Sequence, residues 1–484
     1  MSIFDGNLLK FSWWSVKKST YLVWLMIMGA VLLIILAATL YIKSLPALDI
    51  WHTTVLENEF TLDSDVKDFD EYVKLEERLF EELDREIIAK LPKDKQSPMN
   101  RYTKNSLSNP KRWKQKWNRS FEMPVNDPKM GILLIHGMSD SPYSLHTQAA
   151  YLHKKDAYVV GIRLPGHGTV PSGLINATWQ EMAAVVKMGM QHLKQKVGEK
   201  PIQIIGYSTG APLALHYTFD AINNNALPVP QKLLFYSPAI GVSAAAKFAI
   251  LQKWAGALLH SDKLAWNTVL PEYDPFKYGS FSINAADQVY RLCKVVQEEF
   301  DTLGEKPFPP VLTFASIVDA TVSVPDIIGK LYERLPENNN TLLLYDINNK
   351  YSHNILIKEH FVDTIKRLRH TAVQKNYTFE LITDLNSGDG KVQLIKNHQN
   401  TQDLNLTWPL GMYSLSHVAL PFSKNDPLYG DINAPKSPGI ALGHLARYGE
   451  KMILQIPPGT LLRQRWNPFH DYTKMRVLKF LGLQ

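Results

Sequence analysis

Short apolar runs recur along residues 124 to 350 and alternate with polar or helix-forming stretches. They are rich in Val, Ile, Leu and Phe, and their hydrophobicity is continuous rather than alternating. Continuous hydrophobicity predicts strands covered on both faces, as in the parallel sheet of an α/β protein. The runs are GILLIHG (131–137), AYVVGIRLPGHG (157–168), PIQIIGYS (201–208), KLLFYSP (232–238), PVLTFASI (310–317) and TLLLYDI (341–347).

Strand-like sequence returns beyond the last of these runs, at 377–385 and 391–397, on both sides of the turn NSGDG. A C-terminal extension, residues 355–484, is therefore expected to enlarge the sheet or its rim. The pattern as a whole predicts one α/β domain over residues 124–484.

The N-terminal pattern is different, because the 22 residues from Tyr21 to Ile42 carry no charge. A helix of that length is about 33 Å long and matches a hydrocarbon core of about 30 Å. Residues 21–42 are therefore predicted to span a membrane. A cleaved signal peptide, the alternative, has a shorter apolar region that ends in small residues. The lysines of residues 1–20 predict a cytoplasmic N-terminus and a large domain outside the cytoplasm, in the periplasm if the source is bacterial.

Residues 43–123 have two characters. Apolar residues recur near helical spacing among acidic ones and predict an amphipathic helix on the body; they are Phe69, Tyr72, Leu79, Leu83 and Ile87. The basic segment, residues 91–120, then carries nine Lys or Arg and two Trp. Such a mixture can bind phosphate backbones or anionic head groups, but its prolines and Ser/Asn content favour a solvated linker.

Composition adds exclusions. The chain has 484 residues, 45% of them hydrophobic, and a formal net charge of +7, a bias too mild to indicate nucleic acid. The single cysteine, Cys293, excludes an internal disulfide and a cysteine-rich metal site. The sequence has no H-E-x-x-H, Walker or Rossmann motif. We therefore expect no metal, no cofactor and no nucleic-acid partner.

Ser208 is the candidate nucleophile. The unit Gly206-Tyr207-Ser208-Thr209-Gly210 follows a strand and opens the helix-prone APLALHYTF. In that context G-x-S-x-G forms a strained turn that exposes a reactive serine. The alternative, a structural Gly-Ser turn, requires that the remaining catalytic groups be absent.

Other segments supply those groups. The run LLIHGMSDSP places Met138 after an earlier strand, so the backbone N–H groups of Met138 and Thr209 are predicted to form the oxyanion hole. His136 is interpreted as a structural hydrogen-bonding residue. Asp319, in ASIVDATVS, follows a later strand and is the candidate acid, with Asp346 as the alternative.

These motifs resemble the serine-hydrolase branch of the α/β-hydrolase fold that includes monoglyceride lipases, carboxylesterases and serine aminopeptidases. The resemblance rests on LLIHGMSDSPYSL, RLPGHGTVP, GYSTGAPLAL and ASIVDATVS and covers roughly residues 124 to 350. The N-terminal apolar stretch and the C-terminal YSLSHVALPF are similar to membrane-anchored bacterial members. The resemblance implies a nucleophilic serine, acyl-enzyme chemistry and no cofactor.

The base has two candidates. The usual place of the histidine, just beyond the last strand, nominates His353 in NNKYSHN, which has polar neighbours. His417, in the apolar MYSLSHVALPF, is favoured because its neighbours can shield and orient an imidazole. Residues 241–306, at the position where this fold commonly inserts a cap, are expected to cover the serine with an apolar wall.

The sequence thus predicts a membrane-anchored hydrolase of acyl or lipid-like esters with the triad Ser208, His417 and Asp319. An aminopeptidase or amidase with the same machinery is the first alternative. A catalytically silent module that binds envelope components through the basic segment is the second.

Overall fold

The computed structural model describes residues 6–241, 261–351, 365–367, 376–384, 390–397, 399–443 and 456–484. Twelve strands lie in this part of the chain, and ten of them form one sheet. They are β1 (Phe121–Met123), β2 (Met130–Ile135), β3 (Ala157–Ile162), β4 (Ile202–Tyr207), β5 (Lys232–Tyr236), β6 (Trp266–Thr268), β7 (Phe281–Ser282), β8 (Val311–Ser316), β9 (Thr341–Tyr345), β10 (Thr378–Thr383), β11 (Lys391–Lys396) and β12 (Asn400–Thr407).

The large sheet has the order β1-β3-β2-β4-β5-β8-β9-β10-β11-β12. Its seven central strands, from β3 to β10, are parallel, and antiparallel strands close both edges. Ile135 pairs with both Ile162 and Gly206, so β2, β3 and β4 end at the same edge. The predicted parallel sheet and its C-terminal enlargement are confirmed. The short edge strand β1 and the polar edge strand β12 were not predicted.

Helices cover both faces of the sheet. They are α1 (Gly6–Ser44), α2 (Ile50–Thr53), α3 (Phe69–Leu83), α4 (His146–His153), α5 (Gly173–Asn176), α6 (Trp179–Val197), α7 (Gly210–Asn223), α8 (Ile283–Thr302), α9 (Val324–Ile327), α10 (Pro458–Leu461) and α11 (His470–Leu481). Short 3-10 or π turns occupy Asp84–Ile88, Lys93–Lys95, Pro110–Arg112, Pro142–Leu145, Asp262–Ala265, Ile328–Tyr332, Asn349–Tyr351 and His417–Ala419.

Alternate residues of β2 show how the two layers form. Leu133 and Ile135 belong to the core cluster that contains α3, α6, α7 and α8. Ile132 and Leu134 point to the opposite face, where α4 and α11 pack. All four side chains are buried, which explains the continuous hydrophobicity of the strand.

The α1 helix contains a candidate membrane span at Thr20–Ser44, which is long and apolar enough to cross a bilayer. None of its most apolar stretch is buried against the described body. An exposed apolar surface of this size is unfavourable in water, and a lipid environment would cover it. A membrane anchor and a signal sequence both have this composition.

The predicted amphipathic helix corresponds to α3, whose apolar residues are buried. It is joined to β3 by a buried ion network centred on Arg163, whose guanidinium donates to Glu76 at 3.0 Å and to Glu59 at 2.9 Å. Ser120 donates to Glu76 through both its amide and its hydroxyl. Removing one member would leave a buried charge unpaired, so the network fixes the N-terminal region to the body.

The interpretation of the basic segment as a solvated linker is wrong. The ring of Tyr102 stacks on Trp51 with centroids 5.2 Å apart, and its hydroxyl donates to the Thr169 carbonyl at 3.0 Å. Trp113 packs edge-on against Phe276. The aromatic residues therefore fold the segment onto the body, and the charges project around them.

Only part of the predicted cap, residues 241–306, is described by the structure. Its last helix, α8, packs against α7 and buries Leu292 and Val296 in the core beneath the sheet, so this part belongs to the body. Residues 242–260 lie outside the described residues. The C-terminal extension also joins the body, because Val477 and Leu481 of α11 pack on the sheet.

Candidate active site

Ser208 lies in a strained turn between β4 and α7. Its φ is +52°, a left-handed conformation that residues with a Cβ rarely adopt. The flanking glycines permit the turn: a Cβ on Gly206 would lie 2.6 Å from the Gly210 carbonyl carbon, and one on Gly210 would overlap the Ile135 carbonyl. The strand, the turn and the helix can therefore approach only because both positions lack a side chain.

The loop after β2 reaches the same turn. A Cβ on Gly137 would lie 3.0 Å from the Cβ of Ser208, so the two backbones are in close contact. Met138 and Thr209 are buried, and within the described residues no acceptor is recorded for either backbone N–H. Both amides are therefore candidates for an oxyanion hole, and that role stays a prediction.

Residues 139–140 and 277–278 hold this loop in place, a connection that the sequence analysis missed. The Lys277 ammonium lies 3.0 Å from the Asp140 carboxylate and donates to the Ser139 hydroxyl at 3.1 Å. The backbone N–H of Tyr278 donates to the Ser139 carbonyl at 2.9 Å. Nothing in the local sequence around Lys277 indicates this distant partner.

His136 is a structural residue rather than a base. Its Nε2 accepts from the Leu164 amide at 3.0 Å, which leaves Nδ1 to donate to the Gly137 carbonyl at 2.8 Å. Burial, aided by the neighbouring His167, holds the pKa of His136 well below its usual value. The ring is therefore neutral and fully engaged.

Asp319 and His417 meet at the end of the sheet. The Nδ1 of His417 lies 3.0 Å from the Oδ2 of Asp319, and both side chains are buried. The other carboxylate oxygen accepts from the amides of Thr321 and Val322 at 2.8 and 3.0 Å. Burial opposes ionisation of Asp319, but His417 and the amides outweigh it and hold the pKa below its usual value. The carboxylate is thus fixed to orient the imidazole.

The imidazole also lies beside the nucleophile turn. The centroids of the His417 and Tyr207 rings are 5.3 Å apart, and Tyr207 precedes Ser208. Within the described residues, no hydrogen bond to the Ser208 hydroxyl is recorded, and such catalytic bonds often tighten only when substrate binds. The structure therefore brings Asp319, His417 and the Ser208 turn to one region.

The structure describes the alternative acid, Asp346, but not the alternative base, His353. Asp346 is wholly buried, and its carboxylate accepts from the Thr383 hydroxyl at 2.7 Å and from the Ile347 amide at 2.8 Å. His353 lies outside the described residues.

A cavity of about 560 Å³ opens beside His417. It is lined by Val318, Ala320, residues 411–417, Pro457, Gly459, Thr460 and residues 462–464. A cavity of this size can hold a small ester. Within the described residues, no group of three or more His, Cys, Asp or Glu is placed to hold a metal ion.

Comparison with known proteins gives one family match. Residues 126–359 match the family model described as serine aminopeptidase, S33. The matched range contains Ser208, Asp319 and His353 and ends before His417. A thermostable monoacylglycerol lipase from Bacillus sp. (strain H-257) is 33% identical over 87 residues, which are 18% of this chain and 34% of that protein. The chain thus spans about a third of the length of this relative.

Solved structures similar to this chain include lipolytic enzymes. A structure from a study of the metagenome-derived enzymes LipS and LipT is 18% identical with a TM-score of 0.38, covering 52% of this chain and 98% of that one. A Paleococcus ferrophilus monoacylglycerol lipase is 17% identical with a TM-score of 0.36, covering 47% and 88%. A soluble variant of the Saccharomyces cerevisiae monoglyceride lipase is 15% identical with a TM-score of 0.38, covering 47% and 82%.

Proposed function

Because this chain has an α/β-hydrolase fold of the serine-hydrolase kind, we propose that it hydrolyses carboxylic esters with Ser208 as the nucleophile. The observation that carries the proposal is the 3.0 Å contact between His417 and Asp319 beside the strained Ser208 turn. A buried carboxylate that orients an imidazole next to a serine is the arrangement that activates a hydroxyl for acyl transfer.

In the proposed mechanism, the Ser208 oxygen attacks the ester carbonyl while His417 Nε2 takes the hydroxyl proton. The oxyanion that forms is stabilised by the N–H groups of Met138 and Thr209. The carbon–oxygen bond to the alcohol then breaks, and His417 returns its proton to the departing oxygen. In the second half, His417 takes a proton from water, whose oxygen attacks the acyl carbon. The bond to the Ser208 oxygen breaks, that oxygen regains the proton, and the carboxylic acid leaves. Asp319 stabilises the imidazolium in both halves.

The electrostatics of the site support esters over amino-acid amides. Recognition of a substrate ammonium requires a carboxylate that is free to pair with it. The carboxylate beside Gly137 belongs to Asp140, and it is already paired with Lys277 at 3.0 Å. The aminopeptidase alternative, which the name of the matched family suggests, would need another acidic group.

The proposed substrate is a lipid-like acyl ester. The curated relative is named as a monoacylglycerol lipase. The candidate span in α1 would hold the domain at a membrane, where such esters partition. We propose that α1 is an uncleaved anchor, with residues 1–20 in the cytoplasm and the hydrolase domain on the other side.

Labelling with a fluorophosphonate probe tests the nucleophile. The probe should modify the wild-type protein and fail to modify Ser208→Ala, which should also lose hydrolysis of p-nitrophenyl esters. Ser237→Ala is a matched control, because Ser237 directly follows the neighbouring strand β5, has a similar φ of +41° and is completely buried. Undiminished ester turnover by Ser208→Ala, with Ser237→Ala equally active, would reject the proposal.

A further inference from the structure

The basic segment folds over a second cavity that the proposed catalysis does not use. The cavity has a volume of about 570 Å³ and lies between this segment, the end of α3 and the backbone at Gly168–Thr169. Its residues differ entirely from those of the cavity beside His417. We call it the basic cavity.

Positive charge dominates the lining of the basic cavity. Lys111 pairs with Asp84, the single carboxylate in the lining, at 2.5 Å. No ion pair with a described carboxylate is recorded for any of the other lining cations, Arg101, Lys114, Lys116 and Arg119. The guanidinium of Arg119 instead stacks on the Phe80 ring at 4.3 Å. The described lining therefore has five cations against one carboxylate, an excess of positive charge that favours an anion.

Arg101 is the most deeply placed of these cations and is only 2% exposed. Its guanidinium donates to the carbonyls of Gly168 and Lys277, each at 3.4 Å, a long distance for such bonds. A buried cation is costly unless an anion or strong acceptors compensate it. The buried Glu272 carboxylate, which does not line the cavity, already compensates part of the Arg101 charge, and an anionic ligand in the cavity would add to that compensation.

Three buried polar atoms in the lining have no hydrogen-bond partner among the described residues: the Nε1 of Trp113, the Oγ1 of Thr169 and the Oδ1 of Asn118. Thr169 and Asn118 are only 1% and 4% exposed. The indole N–H and the hydroxyl can donate to an oxyanion, whereas the amide oxygen can only accept. Asn118 is held in this orientation because its Nδ2 donates to the Pro275 carbonyl at 2.9 Å.

A ligand that satisfies all of these groups needs both an oxyanion and a hydroxyl donor. We propose that the basic cavity binds a phosphate ester that carries hydroxyl groups, with its phosphate on the Arg and Lys side chains and a hydroxyl on Asn118. The Trp113 and Trp117 rings provide an apolar wall for the attached carbon atoms. Both the polyol phosphate head group of an anionic phospholipid and a soluble polyol phosphate have this chemistry.

Ligand binding in the basic cavity does not require the proposed ester hydrolysis. The basic segment, whose composition is that of a linker, would then have a role in ligand binding.

Calorimetric titration of the full-length chain in neutral detergent tests the proposal. The ligands are a short-chain diether phosphatidylglycerol, which carries no ester for Ser208 to cleave, the matching phosphatidylcholine, and glycerol 3-phosphate. We expect phosphatidylglycerol to bind and phosphatidylcholine to bind at least about tenfold more weakly, because its head group has no hydroxyl and no net charge. Glycerol 3-phosphate binding as tightly as the lipid supports the phosphate site and assigns it to a soluble ester.

Variants locate the binding. Lys114→Gln/Lys116→Gln removes two exposed, unpaired charges from the lining, and Thr169→Val removes the unpartnered hydroxyl; each should weaken binding about tenfold or more. Lys93→Gln/Lys104→Gln is the matched control, because it removes two exposed charges of the same segment that do not line the basic cavity. All three should retain wild-type p-nitrophenyl ester turnover, which also reports folding.

Two results would overturn the proposal. One is the absence of binding by both phosphate esters to the active wild-type chain. The other is an equal loss of binding in the control and the cavity variants, which would show a general attraction to the basic surface.

Discussion

His417 Nδ1 lies 3.0 Å from the Oδ2 of Asp319, although the two residues are 98 positions apart in the sequence. The contact joins β8, in the centre of the sheet, to the C-terminal extension. The loop with His417 is itself anchored, because the Ser416 hydroxyl donates to the Gln464 carbonyl. The C-terminal residues thus supply a component of the candidate site as well as a layer of the core.

This contact predicts which histidine is the base. We expect His417→Ala to lower kcat by roughly 10⁴- to 10⁶-fold, as the loss of a triad base does in serine hydrolases. His353→Ala should change kcat little. Steady-state ester hydrolysis by both variants, with their melting temperatures measured in parallel, provides the comparison. The opposite result would place the base inside the matched range 126–359 and leave His417 a structural role.

The acid can be tested by an amide substitution that preserves shape. Asp319→Asn should lower kcat by about 10⁴-fold, because an amide at this position favours the wrong imidazole tautomer. Asp346→Asn is the matched control: it changes another buried carboxylate at a neighbouring strand end, where Thr383 and Ile347 are its partners. We expect it to lower the melting temperature and to leave kcat of the folded protein nearly unchanged. A selective loss of kcat in Asp346→Asn would exchange the two assignments.

Gly210 provides a test of the turn that carries Ser208. Gly210→Ala would push a methyl group into the Ile135 carbonyl, so the helix must shift away from β2. We expect a loss of stability of about 1–3 kcal/mol, typical of overpacking, and a large fall in kcat because Ser208 moves with the helix. Gly459→Ala is the control, since a Cβ there meets nothing within 4 Å. Denaturant unfolding and ester hydrolysis report the two effects, and wild-type values for Gly210→Ala would contradict this account of the turn.

Substrate preference distinguishes an esterase from an aminopeptidase. With Asp140 paired to Lys277, we expect kcat/KM for uncharged acyl esters to exceed that for aminoacyl amides. Each added methylene that becomes buried should raise kcat/KM about fourfold, corresponding to about 0.8 kcal/mol. Matched p-nitrophenyl ester and aminoacyl p-nitroanilide series measure both trends. A clear preference for the anilides would favour the peptidase alternative.

Membrane topology is tested by reporters at the C-terminus. If residues beyond Lys43 lie outside the cytoplasm, a reporter that is active only in the cytoplasm should remain silent when it is fused after Gln484. A second fusion at the N-terminus should be active and serves as the control. An active C-terminal fusion would reverse the proposed orientation.

Local sequence patterns predict the central strands and the Ser208 turn well. Continuous apolar runs have few alternatives to buried parallel strands, and the spacing of Gly206 and Gly210 reflects a steric requirement that is itself local. The edge strand β12 has the polar sequence NTQDLNLT, which carries little burial signal, and it was missed. The local sequence pattern thus predicts a strand when the strand's own residues show that it is buried.

Long-range contacts set the limits of that approach. The basic segment has the composition of a linker, yet Tyr102 is drawn onto Trp51 and Trp113 onto Phe276 by partners far away in the sequence. Helix α8 has the apolar residues expected of a cap, but it packs against α7 and is part of the core. The Lys277–Asp140 pair joins two loops whose proximity depends on the whole fold. None of these partners can be read from either segment alone.

The short connection between α1 and the body has a mechanical consequence. Only residues 45–49 separate α1 from α2, and Trp51 of α2 is already packed in the body. A tether of five residues extends no further than roughly 18 Å. With α1 embedded in a bilayer, the enzyme would work as a surface-confined catalyst whose turnover follows the mole fraction of substrate in the lipid rather than its bulk concentration. Diluting the ester with inert lipid would then slow it even when the total amount of ester stays constant.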